Sequence, residues 1–267
     1  MSSIAFIGAG AMATAIACGL HEKKMFKTFY FTDHTQVALD RIKERIPTAI
    51  VSLDNTTVAK ADVIVIAVKP QFCKPVMREV GKKLTEKHLV LSIMAGVTMQ
   101  SIRDETASNC RIARCMPNTP LLALLGTVAF CVDKSATKAD AELVQRMFSA
   151  LGFCAQINEN QMDLIPGVSG SSPAFVALFI DALADGGVQS GLPRALAMQL
   201  AANAVYGAGG LLAKGLVAHP CLMRDGVCSP GGSSIVGVTA LENGGFRSAV
   251  INAVLETTRR TKELSKI

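Results

Sequence analysis

Tryptophan is absent from this 267-residue chain, tyrosine occurs only twice, and aromatic residues make up 5% of the total. A nucleic-acid surface draws on stacking aromatics and a basic stripe. Here the excess of 27 Lys+Arg over 21 Asp+Glu, a formal +6, is spread along the chain without a cluster. These shortages argue against a nucleic-acid partner and leave a mild attraction for anionic small molecules. Charge is scarce altogether: 18% of residues are charged against 50% hydrophobic, with a mean hydropathy of +0.36. That excludes intrinsic disorder and points to an unusually apolar core and a large subunit interface.

None of the eight cysteines forms a Cys-x-x-Cys pair, and His21, His34, His88 and His219 lie far apart in sequence. No metal site and no disulfide framework is expected, and the cysteines read as buried thiols in a reducing compartment. The first apolar stretch, residues 4–7, has no basic segment before it and runs straight into Gly8-Ala9-Gly10. That suits a first strand better than a signal peptide, so a cytoplasmic location is expected. The 19 residues 195–213 carry no charge and are long enough to span a bilayer. They include Gln199, Asn203, Tyr206 and three glycines, so no membrane span is assigned, and the stretch is read as a helix buried on all sides in protein.

Up to residue 157, short β-branched runs alternate with amphipathic segments, the pattern of a parallel sheet with crossover helices. Strands are expected at 4–7, 28–32, 49–51, 63–68, 89–93, 112–115, 128–132 and 154–157, and helices at 12–24, 36–45, 75–84, 99–106 and 138–150. From about Gln161 the chain turns to long Ala- and Leu-rich segments, with long helices expected at 173–189, 193–214 and 246–264. The fold class is therefore α/β, with a Rossmann-type dinucleotide-binding domain over 1–160 followed by an all-helical domain over 161–267. Helices this apolar in so short a segment cannot hide every face within one chain. A helical dimer interface follows.

Gly8-Ala9-Gly10-Ala11-Met12-Ala13 leaves a strand and opens a helix, with Ala13 as the small residue of the third glycine position. Gly8 permits the tight turn, Gly10 lets a pyrophosphate approach the backbone, and the helix N-terminus supplies N–H groups to it. Asp33 follows Ala13 by 20 residues at the end of the second strand. There a carboxylate can accept the adenosine ribose hydroxyls; the bland alternative is a solvated turn residue. Ala67-Val68-Lys69-Pro70 and residues 92–97, which include Ala95, end further strands bordering the cofactor. Met116-Pro117-Asn118-Thr119-Pro120 is a rigid, proline-fixed turn at another strand end. In the helical half, Ser169-Gly170-Ser171-Ser172-Pro173 and Ser229-Pro230-Gly231-Gly232-Ser233-Ser234-Ile235 each precede a helix and offer amides and hydroxyls to a carboxylate, where the alternative is ordinary capping. Asp181 and Asp185, one turn apart, read as a solvated face or as polar contacts across the dimer.

In order and spacing, these stretches, continuing into Leu241-Glu242-Asn243-Gly244-Gly245-Phe246-Arg247, resemble the pyrroline-5-carboxylate reductases along essentially the whole chain. The resemblance implies reduction of 1-pyrroline-5-carboxylate to L-proline with NADH or NADPH, a helical domain interlocked with a second subunit, and an active site built across that homodimer, with a higher oligomer left open. Ser234 is the catalytic candidate, its hydroxyl bonding the ring nitrogen. Gly231, Gly232, Ser233 and Ser234 would hold the substrate with Ser171. The cofactor set is Gly8, Ala9, Gly10, Ala11, Met12, Thr32, Asp33, His34, Asn55, Ala67, Val68, Lys69, Pro70, Ala95, Met116 and Pro117.

The chain departs from the family pattern in three places: Ser172 replaces the second glycine of Ser-Gly-Ser-Gly-Pro, Ser234 replaces a threonine, and Asp33-His34-Thr35 stands where NADP-using relatives often carry an Asn-Arg-Thr-like triplet. The third favours NADH. Two rivals share the architecture. A hydroxyacid dehydrogenase would need a lysine, typically with an asparagine one turn later, and no Lys-x-x-x-Asn occurs. A dinucleotide-sensing dimer without turnover would not need both active-site loops.

Overall fold

A computed structural model of the chain describes residues 2–106 and 109–264. The outer limits of the two expected domains, 1 and 267, lie outside them. The chain folds as two compact units: one runs to Ser171 and takes in the end of the last helix from Thr257, and the other is Ser172–Glu256.

The first unit is built on one sheet of β1 (Ser3–Ile7), β2 (Thr28–Thr32), β3 (Ile50–Ser52), β4 (Val63–Ile66), β5 (Leu89–Ser92), β6 (Arg111–Met116), β7 (Gly126–Val132) and β8 (Gly152–Gln156). Their spatial order is β3-β2-β1-β4-β5-β6-β7-β8. Side chains alternate across each strand. Ile4 and Phe6 of β1 enter the core shared with α1 (Ala11–Glu22), α2 (Gln36–Arg45) and α5 (Lys138–Ser149), and Ala5 and Ile7 enter the one shared with α3 (Cys73–Val80) and α4 (Met99–Asp104). With both faces covered, these strands read as continuous apolar runs, as buried parallel sheets do.

The expected parallel sheet has one antiparallel pairing, that of β6 with β7. The link between them, 117–125, is too short for a crossover, which needs a dozen or more residues, whereas an antiparallel pair needs only a turn. The strand order reverses between β1 and β4, and open α/β sheets bind ligands beyond the strand carboxyl ends at such a switch.

The second unit contains α6 (Ser172–Gln189), α7 (Arg194–Ala213), α8 (Pro220–Val227), α9 (Ser233–Asn243) and the first part of α10 (Phe246–Leu264). Ala184, Ala197 and Ala201 are the buried contact of α6 with α7, which pack so closely that a Cβ on Gly187 would lie 3.2 Å from that of Ala197. Asp185 pairs with Arg194 at 2.5 Å, and both Asp181 and Asp185 are exposed in the single chain.

The expectation that α7 is buried on all sides is not met within the chain. Only Ala197 and Ala201 of its 20 residues are buried, while Leu200 and Tyr206 stand open. Among the described residues, two stretches, Pro166–Gln189 and Arg194–Ala213, are long and apolar enough to cross a membrane by length and composition alone.

Candidate active site

The turn after β1 is fixed by Gly8, whose φ of +99° suits glycine and whose Cβ, if present, would lie 2.7 Å from the Ala67 carbonyl oxygen. Its N–H donates to the Thr32 carbonyl at 2.7 Å, which ties the turn to the end of β2. Gly10 is the N-cap of α1, no side chain caps it, and a Cβ there would meet nothing within 4 Å. Ala13, 1% exposed, packs into the core where the helix closes on the sheet. Open space over Gly10 and an uncapped helix N-terminus are what a pyrophosphate requires, so the residues present fit a dinucleotide.

Around this turn the sheet gathers Ala9, Ala11, Met12, Thr32, Asp33 and His34, with Ala67, Val68, Lys69 and Pro70 after β4, Ala95 after β5, and Met116 and Pro117 ending β6. All of them lie at the carboxyl side of the parallel strands. Asp33 is turned inward. Its Oδ2 accepts the Ala9 N–H at 2.9 Å, its Oδ1 accepts the N–H and hydroxyl of Thr35, both at 3.0 Å, and its side chain is 10% exposed. His34 is solvent-facing, with Nδ1 3.1 Å from Asp33 Oδ1. Asn55 follows the carboxyl end of β3 by three residues and donates to Glu79 at 2.8 Å.

Ser171 closes a wide turn that runs through residues 166–170, its N–H donating to the Pro166 carbonyl five residues back at 2.7 Å. Such π-type turns recur at functional sites. In the helical unit, Ser229-Pro230-Gly231-Gly232 forms a type II-like turn: proline second, Gly231 third at φ +67°, and the Gly232 N–H donating to the Ser229 carbonyl at 3.0 Å. Gly232 then caps α9 without a side-chain bond. Its own amide is used by the turn, so the amides left facing outward are those of Ser233, Ser234 and Ile235, the first turn of α9.

Residues 159–264 match the sequence profile for pyrroline-5-carboxylate reductase dimerisation, and residues 3–96 match that for coenzyme F420-dependent NADP oxidoreductases. The human pyrroline-5-carboxylate reductase 2 is 36% identical over 271 residues, covering 99% of this chain and 84% of that protein. The chain belongs to the pyrroline-5-carboxylate reductase family. The Coxiella burnetii pyrroline-5-carboxylate reductase superposes with a TM-score of 0.92 at 33% identity, covering 100% of this chain and 99% of that one. A Plasmodium falciparum pyrroline carboxylate reductase solved with NADP bound gives 0.87 at 29% identity, over 99% and 98% of the two chains. As a member of this family the chain is an NAD(P)H-dependent oxidoreductase that converts 1-pyrroline-5-carboxylate to proline, and its helical half makes it a homo-oligomer. The hydroxyacid dehydrogenase and the sensor without turnover are thereby set aside.

In this reductase several residues to which the sequence assigned no role hold the site segments together. Arg114, 3% exposed within β6, donates to Asp163 at 2.8 Å and lies 3.8 Å from Glu159, which accepts the Met99 N–H at 2.8 Å. These contacts pin the segment leading to Ser171 onto the sheet. Asn118, 6% exposed, bridges the same segment to β7. A charged side chain inside an apolar strand requires an acid from elsewhere, and Arg114 carried that signal; Asn118 carried none beyond its rigid turn.

Among the described residues no cysteine is joined in a disulfide. Burial pushes the Cys154 thiol up to about 12 and Cys131 to about 11, the latter with Glu159 adding to it, so both remain protonated at neutral pH and neither is a nucleophile. Among the described residues no cluster of His, Cys, Asp and Glu is arranged to hold a metal.

Proposed function

We propose that the first turn of α9 receives the carboxylate of 1-pyrroline-5-carboxylate and that the Ser234 hydroxyl bonds the ring nitrogen. The observation that carries this reading is the Ser229-Pro230-Gly231-Gly232 turn, which uses the Gly232 amide and leaves an uncapped helix N-terminus immediately before Ser234. An anion there is stabilised by outward N–H groups and by the helix dipole. Gly231 and Gly232 shape the turn, Ser233 and Ser234 supply donors, and Ser171 belongs to the same substrate set.

The dinucleotide supplies the hydride when bound. Gly8, Ala9, Gly10, Ala11 and Met12 would hold its phosphates, Thr32, Asp33 and His34 its adenosine end, and Ala67, Val68, Lys69, Pro70, Ala95, Met116 and Pro117 the remainder, with Asn55 at the margin. The substrate imine can arrive protonated, so the chain's task is to orient and to exclude water, not to supply a strong acid. NADH is the preferred donor in this reading. A 2′-phosphate near Asp33 would face like charge, about 1.5 kcal/mol at roughly 5 Å even at water-like dielectric, and the adjoining segment 32–35 offers no arginine. The two subunits would interlock through the apolar faces of α6 and α7, in a cytoplasmic enzyme.

The test is the assay of NADH and NADPH oxidation with 1-pyrroline-5-carboxylate and with 1-pyrroline, which lacks the carboxylate. The analogue should be much the poorer substrate. Equal rates with both would remove the carboxylate from the α9 N-terminus.

A further inference from the structure

Asn118 lies between the two segments that the proposed site needs to keep in register. Its side-chain oxygen accepts the Thr127 N–H at 2.8 Å, and its amide nitrogen donates to the Ser169 carbonyl at 3.0 Å. The partners fix which way the amide faces, because only the oxygen can accept an N–H and only the nitrogen can donate to a carbonyl. The residue is 6% exposed and follows Met116 and Pro117 directly. On the other side of the contact, a Cβ on Gly170 would lie 3.2 Å from the Met116 methyl carbon, so the 169–171 turn rests close on the Met116 side chain, which would have to give by a few tenths of an ångström to admit a methyl group.

We infer that Asn118 is a positioning residue for hydride transfer: through its bond to Ser169 it sets the distance between the Met116-Pro117 shelf and Ser171. The inference rests on the proposed assignment of that shelf to the cofactor and of Ser171 to the substrate. Two groups that must be brought together lie on chain segments about fifty residues apart, joined here by one neutral, buried, bidentate side chain. Its rigidity matters because a misplacement of about 1 Å at a reacting pair can cost on the order of 100-fold in rate.

Asn118→Asp separates the two bonds. A carboxylate still accepts from Thr127 but presents a second oxygen to the Ser169 carbonyl, where it repels; once protonated, it donates there as the amide did. A buried carboxyl titrates above its usual range, so the defect should depend on pH. The expected result is a loss of at least tenfold in kcat/KM for 1-pyrroline-5-carboxylate at pH 7.5 relative to the parent, narrowing as the pH is lowered to 6. NADH affinity, read by fluorescence titration, should stay within about twofold, since the glycine-rich turn is untouched. If Asn118→Asp does not fold, Gly170→Ala perturbs the same spacing from the opposite side and should lower kcat/KM with the melting temperature retained.

Parent-like kcat/KM in either folded variant overturns the inference, and so does a defect in Asn118→Asp that does not change with pH. Ser171→Ala, assayed alongside, distinguishes the two levels. If it has no effect, the site assignment itself fails; if it lowers kcat/KM while Asn118→Asp does not, only the role of Asn118 fails.

Discussion

The amide of Ala9 donates to Oδ2 of Asp33 at 2.9 Å, so the acid ending the second strand is bound to the glycine-rich turn. Asp33 thereby shapes the glycine-rich turn, and in the proposed reading the same carboxylate also places negative charge near the adenosine ribose. Asparagine at this position would keep one acceptor and put an NH2 group against either the Ala9 or the Thr35 N–H. Loss of one such charge-assisted bond costs about 1.5 to 3 kcal/mol. Asp33→Asn is therefore expected to weaken NADH by roughly tenfold or more, and NADPH by less, because repulsion of the 2′-phosphate is relieved at the same time. The comparison is kcat/KM for both cofactors at pH 7.5 in parent and variant. A parent that already prefers NADPH, unchanged by the substitution, would show that Asp33 does not face the ribose.

Ser234 occupies the first turn of α9, where a hydroxyl can reach a bound ligand beside the outward amides. If it bonds the ring nitrogen in the transition state, Ser234→Ala should lower kcat by roughly 10-fold to 100-fold, the equivalent of about 1.5 to 3 kcal/mol. Ser234→Thr keeps the hydroxyl and should remain active. Steady-state kinetics of both variants decide it, and an undiminished alanine variant would leave the loop as a structural cap.

What the sequence made legible was local. Residues 8–13 could be read as a dinucleotide turn because Gly8, Gly10 and Ala13 each answer a separate steric need, and α2 and β2 were bounded correctly because their periodicity is clean. The direction of β7 was not legible, since a strand's own residues do not record which way its neighbour runs; the length of the link from β6 did hold the clue. α8, eight residues with Gly226 inside it, was too short to declare itself. The contacts of Arg114 and Asn118 were out of reach for a different reason. Their partners Asp163 and Ser169 lie 49 and 51 residues away, and only the folded chain brings them together.

Asp133 offers a test of stability away from the site. Burial alone would raise its carboxyl, but hydrogen bonds from Ser135 and Arg103, with the Ile112 N–H, outweigh that and hold it below the usual range. A depressed carboxyl contributes stability above its unfolded value of about 3.9 and loses it as the pH falls through the folded value. Asp133→Asn should therefore destabilise the protein by about 1 to 3 kcal/mol at pH 7, with the deficit shrinking toward pH 3. Urea unfolding of both proteins at the two pH values gives the answer, and a deficit as large at pH 3 as at pH 7 would contradict the linkage.

Assembly can be tested at Ala204, an exposed position on α7. The helix carries no charge between Arg194 and Lys214, yet Leu200 and Tyr206 are more than half exposed in the single chain. In the proposed arrangement a second copy covers this apolar surface, and a charge brought into such a contact without a partner is costly. Ala204→Glu is accordingly expected to dissociate the dimer and to abolish activity with it, because the proposed pocket is shared between subunits. Ala204→Ser, which changes size little and adds no charge, should retain both. Sedimentation and turnover measured on the same samples across a dilution series tie the two losses together. A Glu variant that sediments as a monomer and turns over at the parent rate would place the whole catalytic site within one chain and overturn the interlocked arrangement.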